Sequence, residues 1–328
     1  MLDVQERPAA GAVEAAAWQR KDLLDTDVLS RAEVELVMET ADAMLEVRSR
    51  PVGKVATLRG ATVVTLFYEQ STRTRASFEV AAKAMGADVV NLTASGSSVE
   101  KGESLIDTVR TLEAIGADLL VMRHGKSGAP YLAARHTRAG VINGGDGTHA
   151  HPTQALLDLY TMRRHLGALE GKRVVIVGDV LHSRVARSNV WTLLTAGADV
   201  TLCGPATLLP RTLASAGSEV GRVTLTANLD EAITGADVVM ALRIQKERQA
   251  TGLIPSLREY INGYQVNAAR AAKAKAGALI MHPGPMNEGI EIAPDIAHGV
   301  DSVIEEQVAN GVAVRMAVLY LMATARTK

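Results

Sequence analysis

The sequence predicts an α/β protein built as two doubly wound parallel-sheet domains. Three observations carry this. Short β-branched runs alternate with helix-period segments in two successive arrays, one before and one after about residue 160. The chain has 328 residues and 47% hydrophobic content, enough for two cores. Chemistry-bearing residues follow strands in both arrays, at Arg73, Arg123, Gly178, Arg243 and His282. Ligands of such sheets sit at the carboxyl ends of strands.

Residues 1–20 are Ala-rich and read as a frayed N-terminal extension. Ser30 caps a helix expected over 31–48, with Glu33 in the capping-box position and Val34, Val37, Met38 and Leu45 as its apolar stripe. Residues 62–67 form a buried strand. After Ser71 the period changes: Phe78, Ala82 and Met85 share one helix face. A strand at 88–92 leads into the small, polar 93–102, which reads as a mobile surface loop. Then come a helix over 103–115, a strand over 118–122 ending in Arg123-His124, a helix near Tyr131 and a short strand at Val141-Ile142. Residues 143–147 (NGGDG) read as a loop, and Pro152 opens a helix through about Arg164.

The second array follows. Strands are expected at 173–177, 199–202, 223–225, 238–240 and 278–281, with helices over 183–195, 267–276 and 302–325. The boundary lies within or after the helix that follows His151. This divides the chain into a first domain over 21–160, a second over 161–301, and a closing helix within 302–328 that packs back on the first. No Pro/Ser-rich linker or repeat interrupts it, so packed helices are expected to join the domains.

Net charge is −1 and the pI about 6.7, which gives no general surface for nucleic acid or membrane. Anion specificity must then come from a local cluster. The single Cys203 excludes an intrachain disulfide and fits a reducing cytosol. No secretory signal is expected, and no stretch is read as approaching a transmembrane helix in length.

Ser71-Thr72-Arg73-Thr74-Arg75 places hydroxyls and guanidiniums where a strand hands over to a helix N-terminus. Unbonded N–H groups and the positive helix end suit a phosphate there, and Arg73 adds a forked contact. The plainer account is a Ser/Thr cap with solvated arginines. His151-Pro152-Thr153-Gln154 puts His151 at a helix cap, where a neutral imidazole is favoured, with Gln154 one turn along. His151 is equally readable as a simple cap. Arg184 and Arg243-x-Gln245 can grip carboxylates, or can be solvated charge. His282-Pro283-Gly284-Pro285 is a stiff turn whose carbonyls suit an N–H₂ group. Gly178-Asp179 follows a strand, but the dinucleotide fingerprint is absent, as is a P-loop. His149 and His151 find no cysteine or carboxylate cluster to complete a metal site.

In this order, S-T-R-T-R at 71–75, K-G-E at 101–103, H-P-T-Q at 151–154, R-x-Q-x-E-R at 243–248 and H-P-G-P at 282–285 resemble the aspartate/ornithine carbamoyltransferase family over roughly residues 20–328. The resemblance implies that carbamoyl phosphate is held by Ser71, Thr72, Arg73, Thr74 and Arg123. Arg123, Thr74 and His151 would surround the carbamoyl oxygen. Gln154 and the Pro283-Gly284-Pro285 turn would take its amide. It implies aspartate on Arg184, Arg243 and Gln245, with Lys101 and Ser97 supplied by a neighbouring subunit of a cytoplasmic homotrimer. No metal or organic cofactor is implied. N-carbamoyl-aspartate and phosphate would be the products, on the way to pyrimidines. A regulatory or pathway-enzyme partner is left open. Family members acting on ornithine resemble one another in an H-C-L-P turn, which H-P-G-P replaces here. Another amino acid, or a non-catalytic scaffold, is the competing reading. The chain departs from many bacterial relatives at Glu288, where they carry arginine.

Overall fold

The computed structural model describes residues 17–93, 103–216, 221–245, 253–254 and 256–326. Strands β1 Thr62–Phe67, β2 Asp88–Thr93, β3 Leu119–His124 and β4 Gly140–Asp146 form one sheet in the order β2-β1-β3-β4. Strands β5 Arg173–Val177, β6 Asp199–Cys203, β7 Val223–Thr226, β8 Val238–Ala241 and β9 Leu279–Met281 form another in the order β7-β6-β5-β8-β9. All of these strand pairs are parallel. Both sheets therefore need crossovers between strands, and helices supply most of them.

The helices are α1 Arg31–Ser49, α2 Thr72–Ala84, α3 Leu105–Ala114, α4 Ala129–Ala134, α5 Pro152–Leu166, α6 Arg184–Thr195, α7 Leu229–Ile233, α8 Leu257–Tyr264, α9 Ala268–Ala271, α10 Pro294–Ala297 and α11 Ile304–Arg326. α1 starts as its sequence dictates. The Ser30 side chain accepts from the Glu33 N–H, and Glu33 reaches back to the Ser30 N–H. α5 is buried along all of Pro152 to Met162, so it serves as a core helix. One apolar cluster runs from Val63 and Leu119 through Leu156 and Tyr160 of α5 to Val174 and Ile176 of the second sheet. α11 packs on α1, α5 and α2, beside the first sheet.

Each sheet reverses its winding beside a central strand, between β1 and β3 in one and between β5 and β8 in the other. Loops leaving the two strands at such a point part to opposite faces and leave a crevice. Phe67 at the end of β1 pairs with Arg123 on β3, and Val177 at the end of β5 pairs with Ala241 on β8. Arg73 and Arg123 thus flank one crevice, while Arg184 and Arg243 flank the other.

Some expectations are corrected. Residues 143–146 are not a loop: β4 continues through Asp146, with a register shift opposite Met122–His124. The glycines there serve close approach, since a Cβ on Gly144 would lie 3.2 Å from the Met122 carbonyl oxygen. The helix expected over 267–276 stops at Ala271. Beyond it the bonds tighten to three-residue spacing, and Lys275 N–H turns to the Ala236 carbonyl. α7, α8 and α10 were not anticipated, although Asn228 and Ser256 cap the first two. The stretch Ile304–Ala325 does have the length and hydropathy (1.5) of a membrane span. It is 61% buried in the fold, so its apolarity is that of a core helix.

Candidate active site

The first crevice is organised by the entry into α2. Its N-cap, Ser71, is extended (φ −161°, ψ 99°), and its side chain makes no capping bond. No acidic residue occupies the first turn. The helix thus presents open N–H groups and its positive end, with the Ser71 hydroxyl still available. Ser71, Thr72, Arg73 and Thr74 all border a cleft of ≈ 470 Å³. The Arg73 pKa is lowered, by partial burial first and then by the like charge of Arg243 from the other crevice.

Arg123 donates Nη2 to Glu69 (2.9 Å) and Nη1 to the Gly144 carbonyl (3.3 Å). Arg184, the first residue of α6, donates to both Glu69 oxygens (2.9 and 3.0 Å) and to the Gly147 carbonyl (3.2 Å). Glu69 follows β1 and Arg184 follows β5, so this ion pair ties the two sheets' crevices together. Gly145 permits the arrangement. It sits at φ +117°, and a Cβ there would lie 2.9 Å from Arg184 Nε and 3.1 Å from Arg123 Nη1. On the far wall Gly284, at φ +64°, would place a Cβ 3.3 Å from Arg73 Cζ. The H-P-G-P turn of the second array therefore reaches the arginine of the first.

His151 is the N-cap of α5, but its side chain caps nothing. Its N–H donates to Ser188 Oγ (2.9 Å), and among the described residues its Nδ1 is buried without a partner. Its pKa is held well below the usual imidazole value, by burial first and then by Arg123, Arg184 and Arg315. The neutral ring expected from the sequence thus has a different main cause from the helix end. A ¹⁵N NMR titration should find His151 still neutral at pH 6.5, the ordinary imidazole midpoint; imidazolium there would contradict this. Linkage has a fixed sign here. Its contribution to stability is full above the unfolded value of about 6.5 and is lost as pH falls.

Gln154 lies in the cleft wall one turn into α5, and its Nε2 donates to Asp158. His282 stiffens its own turn. Its Nδ1 accepts from the Gly284 N–H (2.8 Å), so its Nε2 carries the proton toward Glu291 (3.2 Å). Pro283, Gly284, Pro285, Arg243 and Gln245 also line the cleft. Ser97 and Lys101 lie outside the described residues, as do Lys246, Glu247 and Arg248. Glu288 is not in the cleft wall: it faces His298 at 3.3 Å and is half-exposed. Among the described residues no group of three His, Cys, Asp or Glu is placed to hold a metal ion.

Sequence reasoning missed Glu69, Gln307 and Arg315, which also border the cleft. Glu69 carried a signal, being an acid two residues before a basic anion motif. Gln307 and Arg315 sit on an apolar helix where only the fold reveals their facing. Replacing Glu69 with Gln should lower the melting temperature by about 4 °C, because two guanidiniums lose their shared counter-charge. Calorimetry checks this, and an unchanged melting temperature would show that the tie contributes nothing.

Sequence profiles of the aspartate/ornithine carbamoyltransferase carbamoyl-P binding domain and Asp/Orn binding domain match residues 21–164 and 170–322. The chain belongs to the aspartate/ornithine carbamoyltransferase family. Within that family it is 61% identical over 313 residues to the aspartate carbamoyltransferase catalytic subunit of Roseiflexus sp. (strain RS-1), covering 94% of this chain and 98% of the relative. It is 59% identical to that of Chloroflexus aggregans, covering 93% and 99%. Aspartate transcarbamoylase from Trypanosoma cruzi, in complex with N-(phosphonacetyl)-L-aspartic acid, has a TM-score of 0.85 at 30% identity, covering 92% of this chain and 96% of that one. Ornithine carbamoyltransferase from Pyrococcus furiosus also reaches 0.85, at 29% identity, covering 94% and 98%. Shape alone therefore does not separate the two acceptors.

Proposed function

We propose that the chain transfers the carbamoyl group of carbamoyl phosphate to the α-amine of L-aspartate, giving N-carbamoyl-L-aspartate and phosphate. One observation carries this reading: cations from both sheets converge on one cleft, with Gly284 against Arg73 and with Glu69 joining Arg123 to Arg184. Two arginines of the second array suit a dicarboxylic amino acid and repel a cationic one. The high identity to relatives named aspartate carbamoyltransferase catalytic subunit supports the same choice.

Ser71, Thr72, Arg73, Thr74 and Arg123 hold the phosphate, with the α2 N-terminus behind it. The aspartate carboxylates lie on Arg184, Arg243 and Gln245. The neutral amine attacks the carbamoyl carbon and a C–N bond forms. Negative charge grows on the carbonyl oxygen, where Thr74, Arg123 and neutral His151 stabilise it. The C–O bond to phosphorus's oxygen then breaks. Phosphate leaves with the electron pair and takes the amine proton. Much of the acceleration is positioning of two anions that repel each other in water. Ser97 and Lys101 enter from a neighbouring copy in a homotrimer, and the enzyme works in the cytoplasm on the route to pyrimidines.

Phosphate release from carbamoyl phosphate tests the reading. Turnover is expected with L-aspartate and none with L-ornithine. Release with ornithine alone would reassign the acceptor, and release with neither would leave a scaffold.

A further inference from the structure

Behind the cleft wall lies a carboxylate that does not itself border the cleft. Asp158, one turn after Gln154 on α5, is fully buried. Its Oδ1 accepts from Gln154 Nε2 (2.9 Å) and Gln307 Nε2 (2.8 Å), and its Oδ2 from Asn189 Nδ2 (2.8 Å). Three side-chain amides therefore end on one carboxylate. The far end of one of them, Gln307 Oε1, accepts from the His282 backbone N–H at 2.9 Å. Buried Arg315 is the cation that offsets the charge, and it is held in turn by Ser77 Oγ and the Gly311 carbonyl.

A carboxylate only accepts hydrogen bonds, so each amide must turn its NH₂ toward Asp158. Gln154 is left with its carbonyl oxygen toward the cleft. Gln307 is left with its own carbonyl toward His282, which pins the turn whose carbonyls form the opposite wall. Both sides of the carbamoyl nitrogen are thereby given acceptors. Two fixed acceptors welcome an NH₂ and are left unpaired by a methyl.

We infer that Asp158 is a positioning residue that sets the site's preference for a carbamoyl over an acyl group, acting through Gln154 and the His282 turn. The inference rests on the proposed carbamoyl transfer, so wild-type turnover is measured first, and its absence removes that reading rather than this one. Two unreactive probes differ only at the group in question: phosphonoacetamide carries NH₂ where acetonylphosphonate carries CH₃. Their inhibition constants are compared at pH 8, where Asp158, raised to about 6 by burial, is ionised. The wild type is expected to favour the amide by about 30-fold. Asp158→Asn is expected to reduce that ratio below about 3-fold, because one acceptor then faces three donors and Gln154 is free to turn. A merely structural role weakens both probes together and keeps the ratio, which would overturn the inference. So would a wild-type ratio near one. If the variant does not fold, a wild-type complex with phosphonoacetamide decides. The inference requires Gln154 Nε2 on Asp158 and Oε1 on the ligand amide; any other pairing contradicts it.

Discussion

Arg73→Ala is expected to lower kcat/KM for carbamoyl phosphate by about 10³, the cost of one preorganised charged donor to a doubly charged anion. The fold should not suffer. In the ligand-free chain the Arg73 charge is disfavoured by burial and by Arg243, so its removal relieves repulsion. The melting temperature should therefore hold or rise slightly while activity collapses. Steady-state phosphate release and calorimetry on the same sample separate the two effects. A loss below tenfold would show that the helix N-terminus and hydroxyls bind phosphate without it. A parallel loss of stability would instead make Arg73 a structural residue.

Arg243→Leu should act on the other substrate. Arg243 follows β8, on the side of the cleft belonging to the second sheet. Deleting a forked guanidinium contact to a carboxylate removes about 1.5–3 kcal/mol, so the aspartate KM should rise by about 10². The carbamoyl phosphate KM should stay within about threefold, because the proposed phosphate seat is on the opposite sheet's loops. Equal rises in both constants would mean that Arg243 shapes the whole cleft and not the acceptor's seat. The Leu variant is preferred to Lys, which would keep the charge and blur the test.

The parts of this account that the sequence made legible are those with a period or a punctuation mark. β1 and the strands of the second array declare themselves through runs of Val, Ile and Leu. Ser30 with Glu33 marks α1, and Pro152 marks α5. Arg73, Arg123, Arg184, Arg243 and the His282 turn were legible because each lies at or just beyond the end of a strand, where an open α/β sheet puts its ligands. What stayed hidden depends on packing. Gly144 and Gly145 look like a turn in one dimension, yet Gly144 is the bare backbone against the Met122 carbonyl and Gly145 the bare backbone on which Arg184 and Arg123 lie. Glu69 stands beside the basic motif in the sequence, but its tie to Arg184 appears only when the fold brings that residue to it from 115 residues away. Asp158, Gln307 and Arg315 each sit in a helix with no local sign that they meet. Only the crossing of α5 with α11 brings them into one network.

The central claim is that one small ligand can touch both sets of cations at once. A crystal structure of the chain bound to N-(phosphonacetyl)-L-aspartate tests it most directly. The account predicts the phosphonate on Ser71, Thr72, Arg73, Thr74 and Arg123. The aspartyl carboxylates should lie on Arg184, Arg243 and Gln245, and the carbonyl oxygen beside His151. A ligand held by one sheet's residues alone, with the other arginines turned to bulk water, would contradict it.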